Sequence, residues 1–192
     1  MVELEHGWQH QARRALFEDY RQRRVATWIS PRGASMRPLI GPETWMLVEF
    51  GATDAKIGDV VLFPLGNVLV AHRLVAWRVR QGQRMLISKG DAEPFHDAPV
   101  HVDDVIGIVR ALRDGRDGRP MRFGCAGRAA RAIARVSRAH GRGAWLARRA
   151  AEVLPDPLRR PVLRAVPPLA RVVARIILAP LPWAAWYRVQ TA

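Results

Sequence analysis

The spacing of apolar positions near the start of the chain is helical. Between residues 3 and 27, apolar or aromatic side chains recur every four residues, with Arg and Glu between them. They are Leu4, Trp8, Ala12, Leu16 and Tyr20. This spacing places them on one face, so it predicts an amphipathic helix, which the Ser-Pro-Arg-Gly stretch at residues 30–33 ends. We expect a helical N-terminal segment over residues 1–28.

From Trp45 onward the pattern changes to short apolar runs of strand length. Six runs occur, at residues 45–50, 60–63, 68–70, 74–79, 85–87 and 105–109. Turn-forming pairs such as Gln81-Gly82 separate them. Short strands at this spacing are typical of a small, coiled all-β domain. The sequence therefore predicts a mainly β core over residues 29–112, with a barrel-like sheet.

Residues 114–120 form a polar linker, and a basic segment follows it. Arg recurs there at three- and four-residue steps, at Arg128, Arg131, Arg135, Arg138 and Arg142. This pattern predicts a basic amphipathic helix. Gly141 and Gly143 are expected to break the helix before it resumes over residues 145–154. Residues 113–192 would then form an Arg-rich helical extension.

The last segment, residues 163–189, is apolar but contains Arg164, Arg171 and Arg175 and four prolines. Each Arg near the centre of a membrane span would cost roughly 2.5–3.5 kcal/mol. We therefore expect a helix lying in a membrane interface, with Trp183, Trp186 and Tyr187 at headgroup level. A helical hairpin packed on the β core or on a second subunit is an equal alternative.

Charge is distributed unevenly between the predicted core and the extension. Residues 1–112 carry a net charge of +1 and residues 113–192 a net charge of +13. This asymmetry indicates an anionic partner for the extension. The extension has no recognised nucleic-acid-binding motif, and its apolar end suits lipid better, so an anionic membrane surface is favoured and nucleic acid is not expected. The first 20 residues contain no secretory signal or membrane anchor, so we expect a cytoplasmic or peripherally membrane-associated protein.

No metal site or cofactor is predicted from the sequence. His96 and His101 flank Asp97 at loop-like spacing, without a second cluster of ligands. Cys125 is the only cysteine, which excludes an internal disulfide. No glycine-rich loop follows a predicted strand and opens a helix, so phosphate cofactors gain no support.

Three residue types in the predicted core suit nucleophilic catalysis. Ser35 lies in the loop Gly33-Ala34-Ser35-Met36-Arg37-Pro38, where Gly33 leaves room for a substrate backbone. A serine needs a base to take its proton and donors to stabilise the oxyanion. His72 follows an apolar run, and an ordinary pKa of about 6.5 suits a general base near neutrality. Asp91 and Asp97 are the candidate partners for its imidazole.

These motifs, in this order, resemble those of type I signal peptidases and their LexA-like relatives. Residues 35–38 (Ser-Met-Arg-Pro) look like the nucleophile box, and residues 58–63 resemble the Gly-Asp-Val-Val strand that follows it. Residues 70–74 are similar to the box that carries the base, residues 88–92 to the Lys-Gly-Asp box, and residues 105–109 to the closing strand. The resemblance covers roughly residues 30–112. It implies a serine endopeptidase that cleaves a precursor peptide or protein after small residues.

The resemblance also assigns roles and shows departures. His72 replaces the lysine base of the bacterial enzymes, as in the endoplasmic-reticulum and archaeal type, which relies on Ser, His and Asp. In that type a second aspartate follows the Lys-Gly-Asp one by six residues, as Asp97 follows Asp91, so Asp97 is the favoured orienting acid and Asp91 the auxiliary one. Gly33 stands where many relatives have an oxyanion-binding serine. Backbone N–H groups near Gly33, Ala34 and Met36 would then bind the oxyanion or the substrate, and the family's N-terminal anchor is not found.

An alternative hypothesis is that the protein is a catalytically inactive or regulatory β domain. Such a protein would use the basic extension to bind a membrane surface or nucleic acid. Four intact candidate residues, Ser35, His72, Asp91 and Asp97, favour the peptidase.

Overall fold

The described part of the chain contains a β sheet flanked by helices. The structure is a computed structural model, and it describes residues 15–37, 39–65, 68–115, 118, 120–122 and 128–178. The helices are α1 (residues 15–22), α2 (Arg128–Glu152) and α3 (Asp156–Leu178). The strands are β1 (Ala26–Ile29), β2 (Thr44–Phe50), β3 (Val60–Leu65), β4 (Val68–Arg80), β5 (Gln83–Lys89), β6 (Val100–His101), β7 (Gly107–Asp114) and β8 (Met121–Arg122).

All neighbouring strands of the sheet pair antiparallel, in the order β1-β2-β7-β3-β4-β5-β6, and β8 pairs with β7. Within the described residues no ladder joins β1 to β6, so the sheet is open, unlike the barrel-like sheet that the sequence predicted. Strand β6 is only two residues long and turns directly into a 3₁₀ helix at Val102–Asp104. The mainly β core with helices around it agrees with the predicted fold class.

Both faces of the central strands are buried, each against a different apolar cluster. In β3, Val60 and Leu62 belong to a cluster with Met36 and Ile40, whereas Val61 and Phe63 belong to another. The second cluster also contains Leu74, Leu86 and Ile108. Side chains of a strand alternate between faces, so burial on both sides yields a continuous apolar run. This is why the run at residues 60–63 lacks polar alternation.

The predicted strands are present, with changes in length and number. The runs at residues 68–70 and 74–79 are one strand, β4, because the polar His72 and Arg73 between them are themselves buried. The turn predicted at Gln81-Gly82 is confirmed: both residues have positive φ, +50° and +76°, as a two-residue hairpin requires. Strands β1, β6 and β8 were not predicted.

The helix predicted over residues 3–27 is shorter in its described part. Helix α1 covers residues 15–22, and residues 26–27 belong to β1, which pairs with β2. Phe17 and Tyr20 pack on Phe50, each with ring centroids 5.4 Å apart. Leu16, which the four-residue spacing assigned to the apolar face, is 45% exposed.

Helices α2 and α3 run through residues that were expected to interrupt them. Helix α2 continues through Gly141 and Gly143, and α3 continues through Pro167 and Pro168. Gly141 is buried against the ring of His96: a Cβ there would lie 2.8 Å from His96 Cε1. The glycine therefore serves close packing rather than a break. The two helices pack together, and the Nε2 atom of His140 lies 2.7 Å from the carbonyl oxygen of Ala170.

The interfacial helix predicted at the end of the chain falls partly outside the described residues, since Trp183, Trp186 and Tyr187 lie beyond residue 178. Over the ranges that the structure describes, no helix has both the length and the hydropathy to cross a membrane.

Candidate active site

Ser35 lies in a tight turn that backbone hydrogen bonds and a buried methionine hold against the core. The backbone N–H of Arg37 donates to the carbonyl of Ala34 (3.1 Å), and that of Ile40 donates to the carbonyl of Met36 (3.0 Å). The side chain of Met36 is buried in the first apolar cluster, so the residue next to Ser35 fixes the turn to the core. Ser35 itself is only partly buried. The turn presents a hydroxyl at the surface of a rigid core.

His72 projects from β4 toward this turn. It pairs with Val61 of β3, and its side chain lies on the face that carries Leu74, with its ring edge-on to Phe63 at 6.2 Å. Its Nε2 atom lies 3.0 Å from Ser35 Oγ, a hydrogen-bond distance. The residue is 6% exposed. Strand alternation predicted this face correctly, although the serine is 37 residues away in sequence.

Asp97 lies on the other side of the imidazole. Its Oδ2 atom is 2.7 Å from His72 Nδ1 and also accepts a hydrogen bond from Ser88 Oγ at 2.7 Å. Its backbone N–H donates to the carbonyl of Ser88, which holds the loop against the end of β5. Burial alone would raise the pKa of Asp97, but the hydrogen bonds from His72 and Ser88 and the attraction of His72 outweigh it, and the pKa is lowered. The aspartate is therefore held as a carboxylate beside the ring.

Asp91, the other candidate acid, contacts Arg73 instead of the histidine. Arg73 donates from Nε to Oδ1 (2.8 Å) and from Nη2 to Oδ2 (2.6 Å), and its Nη1 donates to the carbonyl of Gly58 (2.7 Å). Arg73 is fully buried and Asp91 is 2% exposed. A two-pronged pair without access to water is a structural link between β4 and the Lys-Gly-Asp loop.

The Lys-Gly-Asp loop also holds the serine turn in place. The N–H of Ala92 donates to the carbonyl of Ser35 at 2.7 Å. A Cβ at Gly90 would lie 2.8 Å from that carbonyl oxygen and 3.0 Å from Ser35 Cβ, so only glycine fits there without displacement. This close approach accounts for a glycine at position 90, and sequence spacing does not reveal it.

Lys89 is buried between this loop and helix α2. Its Nζ donates to the carbonyl of Gly90 (3.1 Å) and to Ser137 Oγ (3.2 Å). Burial lowers the pKa of Lys89 from its ordinary value of 10.5 to about 8, although the carboxylates of Asp91 and Glu93 counteract the shift. The Lys89–Ser137 bond ties the C-terminal extension to the site.

A cleft of about 650 Å³ opens beside Ser35. Gly33 and Met36 line it with Ser35, whereas Ala34 is not among the lining residues. Most of the wall is apolar or aromatic, and it comprises Phe17, Trp28, Ile29, Ile40, Trp45, Met46, Leu62 and residues 68–71. Over residues 68–72, β4 pairs with β3 on one edge, whereas its pairing with β5 on the other edge begins only at Arg73. The edge of β4 opposite β3 therefore carries no partner strand over residues 68–72 within the described residues. The cleft can receive an extended apolar segment next to the hydroxyl.

Several residues of the site were not assigned a role from the sequence. Ser88, Arg73 and Lys89 act through contacts that join separate strands and loops, and no local motif signals them. The sequence hint for Arg73 was its place beside His72 within the otherwise apolar stretch of residues 68–77. Among the described residues, no three His, Cys, Asp or Glu side chains are close enough to share a metal ion.

Ser35, His72 and Asp97 thus form a continuous hydrogen-bonded chain that ends at an open cleft. With Nδ1–H donating to the carboxylate, Nε2 is free to accept the hydroxyl proton, which is the arrangement that activates a serine. No protein family model matches this chain, and no curated protein or solved structure matches it.

Proposed function

We propose that this protein is a serine endopeptidase of the signal-peptidase type. The observation that carries the proposal is the chain of contacts from Ser35 Oγ to His72 Nε2 (3.0 Å) and from His72 Nδ1 to Asp97 Oδ2 (2.7 Å). The order of the sequence boxes adds to it, since each of the three residues lies at the position that the resemblance assigns to a catalytic group. The signal-peptidase core is the specific fold that we propose for residues 29–112.

The proposed reaction has two steps. Ser35 Oγ attacks the carbonyl carbon of the substrate while its proton moves to His72 Nε2, and Asp97 stabilises the imidazolium. Collapse of the tetrahedral intermediate breaks the C–N bond, and His72 gives its proton to the leaving amine. Water, deprotonated by the same histidine, then attacks the acyl carbon. The C–O bond to Ser35 breaks, His72 returns the proton to Ser35 Oγ, and the acyl group leaves as a carboxylic acid. Backbone N–H groups of the 33–36 turn are the proposed oxyanion donors, because Gly33 offers no hydroxyl.

The proposed substrate is a precursor whose cleavage site lies in an extended, apolar segment. The free edge of β4 over residues 68–72 offers main-chain donors and acceptors to such a segment, and the apolar cleft offers it side-chain contacts. The resemblance implies small residues just before the scissile bond. No cofactor takes part in this chemistry.

An active-site probe tests the proposal directly. The protein would be treated with a fluorophosphonate or penem reagent, and intact-mass and peptide analysis would locate the adduct. Ser35→Ala and His72→Ala should abolish labelling while far-UV circular dichroism stays unchanged. Ser30→Ala is the matched control, because Ser30 is exposed and lines the same cleft. Labelling that survives in Ser35→Ala, or that Ser30→Ala removes, would contradict the assignment.

A second proposal concerns where the enzyme acts. Helix α3 exposes an apolar stripe at 3–4-residue spacing, formed by Leu158, Val162, Leu169, Val172 and Val173. The exposed Arg160 and Arg164 lie on another face of this helix. An apolar stripe opposite basic residues is typical of helices that lie in the interface of an anionic membrane. We propose that α3 docks the peptidase on such a surface.

A further inference from the structure

A second cavity, separate from the serine cleft, lies between helix α2 and the sheet. Its volume is about 880 Å³. One wall comes from β4 and β5, another from the loop with Phe95, His96 and Asp97, and the third from α2. No described residue lines both this cavity and the cleft beside Ser35. The two openings are therefore distinct, and Asp97 lines only the second of them.

Positive charge dominates the walls of this cavity. Five arginines line it against one aspartate and one glutamate, a net charge of +3 with His96 neutral. The arginines are Arg78, Arg138, Arg142, Arg148 and Arg149. Glu152 pairs with Arg148 (3.6 Å) and Arg149 (3.3 Å), which leaves Arg138 and Arg142, one helical turn apart, outside these ion pairs.

Two nitrogen atoms at this cavity are buried without a hydrogen-bond partner among the described residues. They are Arg138 Nε and His96 Nε2. Arg138 Nε is a donor, whereas His96 Nε2 donates or accepts according to its tautomer. A buried donor without a partner costs roughly 1–3 kcal/mol, which is a reason to look for an acceptor for Arg138 Nε from outside the chain. Gly141 lets the His96 ring approach α2 closely, so the imidazole is held in a wall of the cavity rather than in solvent.

Aromatic rings complete the site beside these charges. Phe95, Trp77 and Trp145 line the cavity, and Arg148 lies 5.7 Å from the ring centroid of Phe95. A cavity of this volume is larger than a bare anion needs, and its rings offer apolar surface to an attached group. Arginine forks next to such surface match a phosphate that carries an organic body.

We propose that this cavity binds a phosphorylated ligand. Arg138 and Arg142 hold the phosphate, and Phe95 and Trp77 pack on the non-polar part of the ligand. The same chemistry is offered by a soluble phosphate compound and by the headgroup of an anionic phospholipid. The inference does not depend on the proposed peptidase activity, because binding is measured directly.

The experiment compares two double variants of the full chain. Arg138→Gln/Arg142→Gln removes the two cavity arginines that are assigned to the phosphate, out of the five that line the cavity, whereas Arg131→Gln/Arg135→Gln removes the same charge from exposed positions of the same helix outside the cavity. Two readouts are used. Isothermal titration calorimetry measures binding of inorganic pyrophosphate, and flotation measures binding to phosphatidylglycerol vesicles, with phosphatidylcholine vesicles as the uncharged control. Thermal unfolding verifies that each variant is folded. Arg142→Gln alone, at an exposed position, replaces the double variant if that variant does not fold.

We expect the cavity variant to bind at least about tenfold more weakly and the control less than about twofold more weakly. If the cavity variant loses affinity for pyrophosphate, the ligand is a soluble phosphate compound. If it loses affinity only for phosphatidylglycerol vesicles, the ligand is a lipid headgroup. If both double variants bind equally more weakly than the parent protein, general electrostatic attraction explains the binding and the proposal is overturned. Absence of binding to both probes in the parent protein would overturn it as well.

Discussion

Gly90 lies directly against Ser35, although 55 residues separate them in the chain. A Cβ at position 90 would lie 2.8 Å from the carbonyl oxygen of Ser35, well inside van der Waals contact. The neighbouring Ala92 donates its N–H to that same oxygen. The Lys-Gly-Asp loop thus fixes the position of the turn that carries Ser35.

Gly90→Ala should therefore displace Ser35 from His72. We expect labelling of Ser35 by the active-site probe to slow by at least about tenfold, because small misplacements of reacting groups carry large rate costs. Gly143→Ala is the matched control, since a Cβ there meets nothing within 4 Å and alanine favours the helix. Unchanged labelling in Gly90→Ala would show that the turn adapts and that the contact is unimportant.

Asp97→Asn should slow labelling without unfolding the protein. The amide cannot stabilise the imidazolium and favours the wrong tautomer of His72, so we expect the rate to fall by at least about a hundredfold. Asp103→Asn, at a largely exposed side chain, serves as the comparison and should retain the parent rate. A parental rate in Asp97→Asn would remove Asp97 from the mechanism.

Asp91→Ala should act on stability instead. It would leave the guanidinium of Arg73 buried and without its carboxylate, so the free energy of unfolding should fall by about 3–5 kcal/mol. Urea denaturation followed by tryptophan fluorescence measures this change. Asp103→Ala, which removes an exposed carboxylate, should change it by less than about 0.5 kcal/mol. If the two variants are equally stable, the Arg73–Asp91 pair is not the link that its burial indicates.

Lys89 should make stability depend on alkaline pH. Its pKa is about 8 in the folded protein and 10.5 ordinarily, so between these values the unfolded chain binds more protons than the folded one. The free energy of unfolding should therefore rise with pH across this window, by up to about 3 kcal/mol. The comparison is with Lys89→Met, which shares every other titrating group and should lack this contribution. If the free energy of unfolding changes with pH in the same way in both proteins, the predicted contribution of Lys89 is wrong.

The apolar stripe of α3 should govern binding to anionic vesicles. Leu158 and Leu169 are 55% and 61% exposed, so replacing both by Gln removes apolar contact area without opening the core. We expect at least about tenfold weaker partitioning into phosphatidylglycerol vesicles, from roughly 1.5 kcal/mol per leucine withdrawn from lipid. Val79→Gln, a 72% exposed position at the β4–β5 hairpin, should bind as the parent does. Equal binding by all three proteins would exclude this stripe.

The strands with a local signature were predictable from the sequence. Strand β2 is such a case: residues 45–50 form an apolar run of strand length in which Glu49 is the one polar residue. The Gln81-Gly82 turn carries its signal in the residues that tolerate positive φ. Strand β1 has no such signature. Its conformation comes from pairing with β2, and four-residue apolar spacing before it extended the predicted helix too far.

The interruption predicted in α2 failed for a related reason. A glycine inside a helix costs only about 1 kcal/mol, and close packing against His96 can offset that cost at Gly141. Local propensity is a weak term, and a contact from a distant loop outweighs it.

The residue types of the candidate site and their order could be predicted from the sequence alone: a serine in a glycine-containing loop, a histidine in an apolar strand, and two aspartates beyond it. The family resemblance favoured Asp97 over Asp91, and the contacts of the fold place Asp97 beside His72. Asp91 and Asp97 are equivalent as carboxylates, but Arg73 folds into the core and occupies Asp91, while the loop anchored on Ser88 brings Asp97 to His72. Which carboxylate lies beside the histidine depends on which charges are buried together, and that is a property of contacts between distant segments rather than of either aspartate's own neighbours in the sequence.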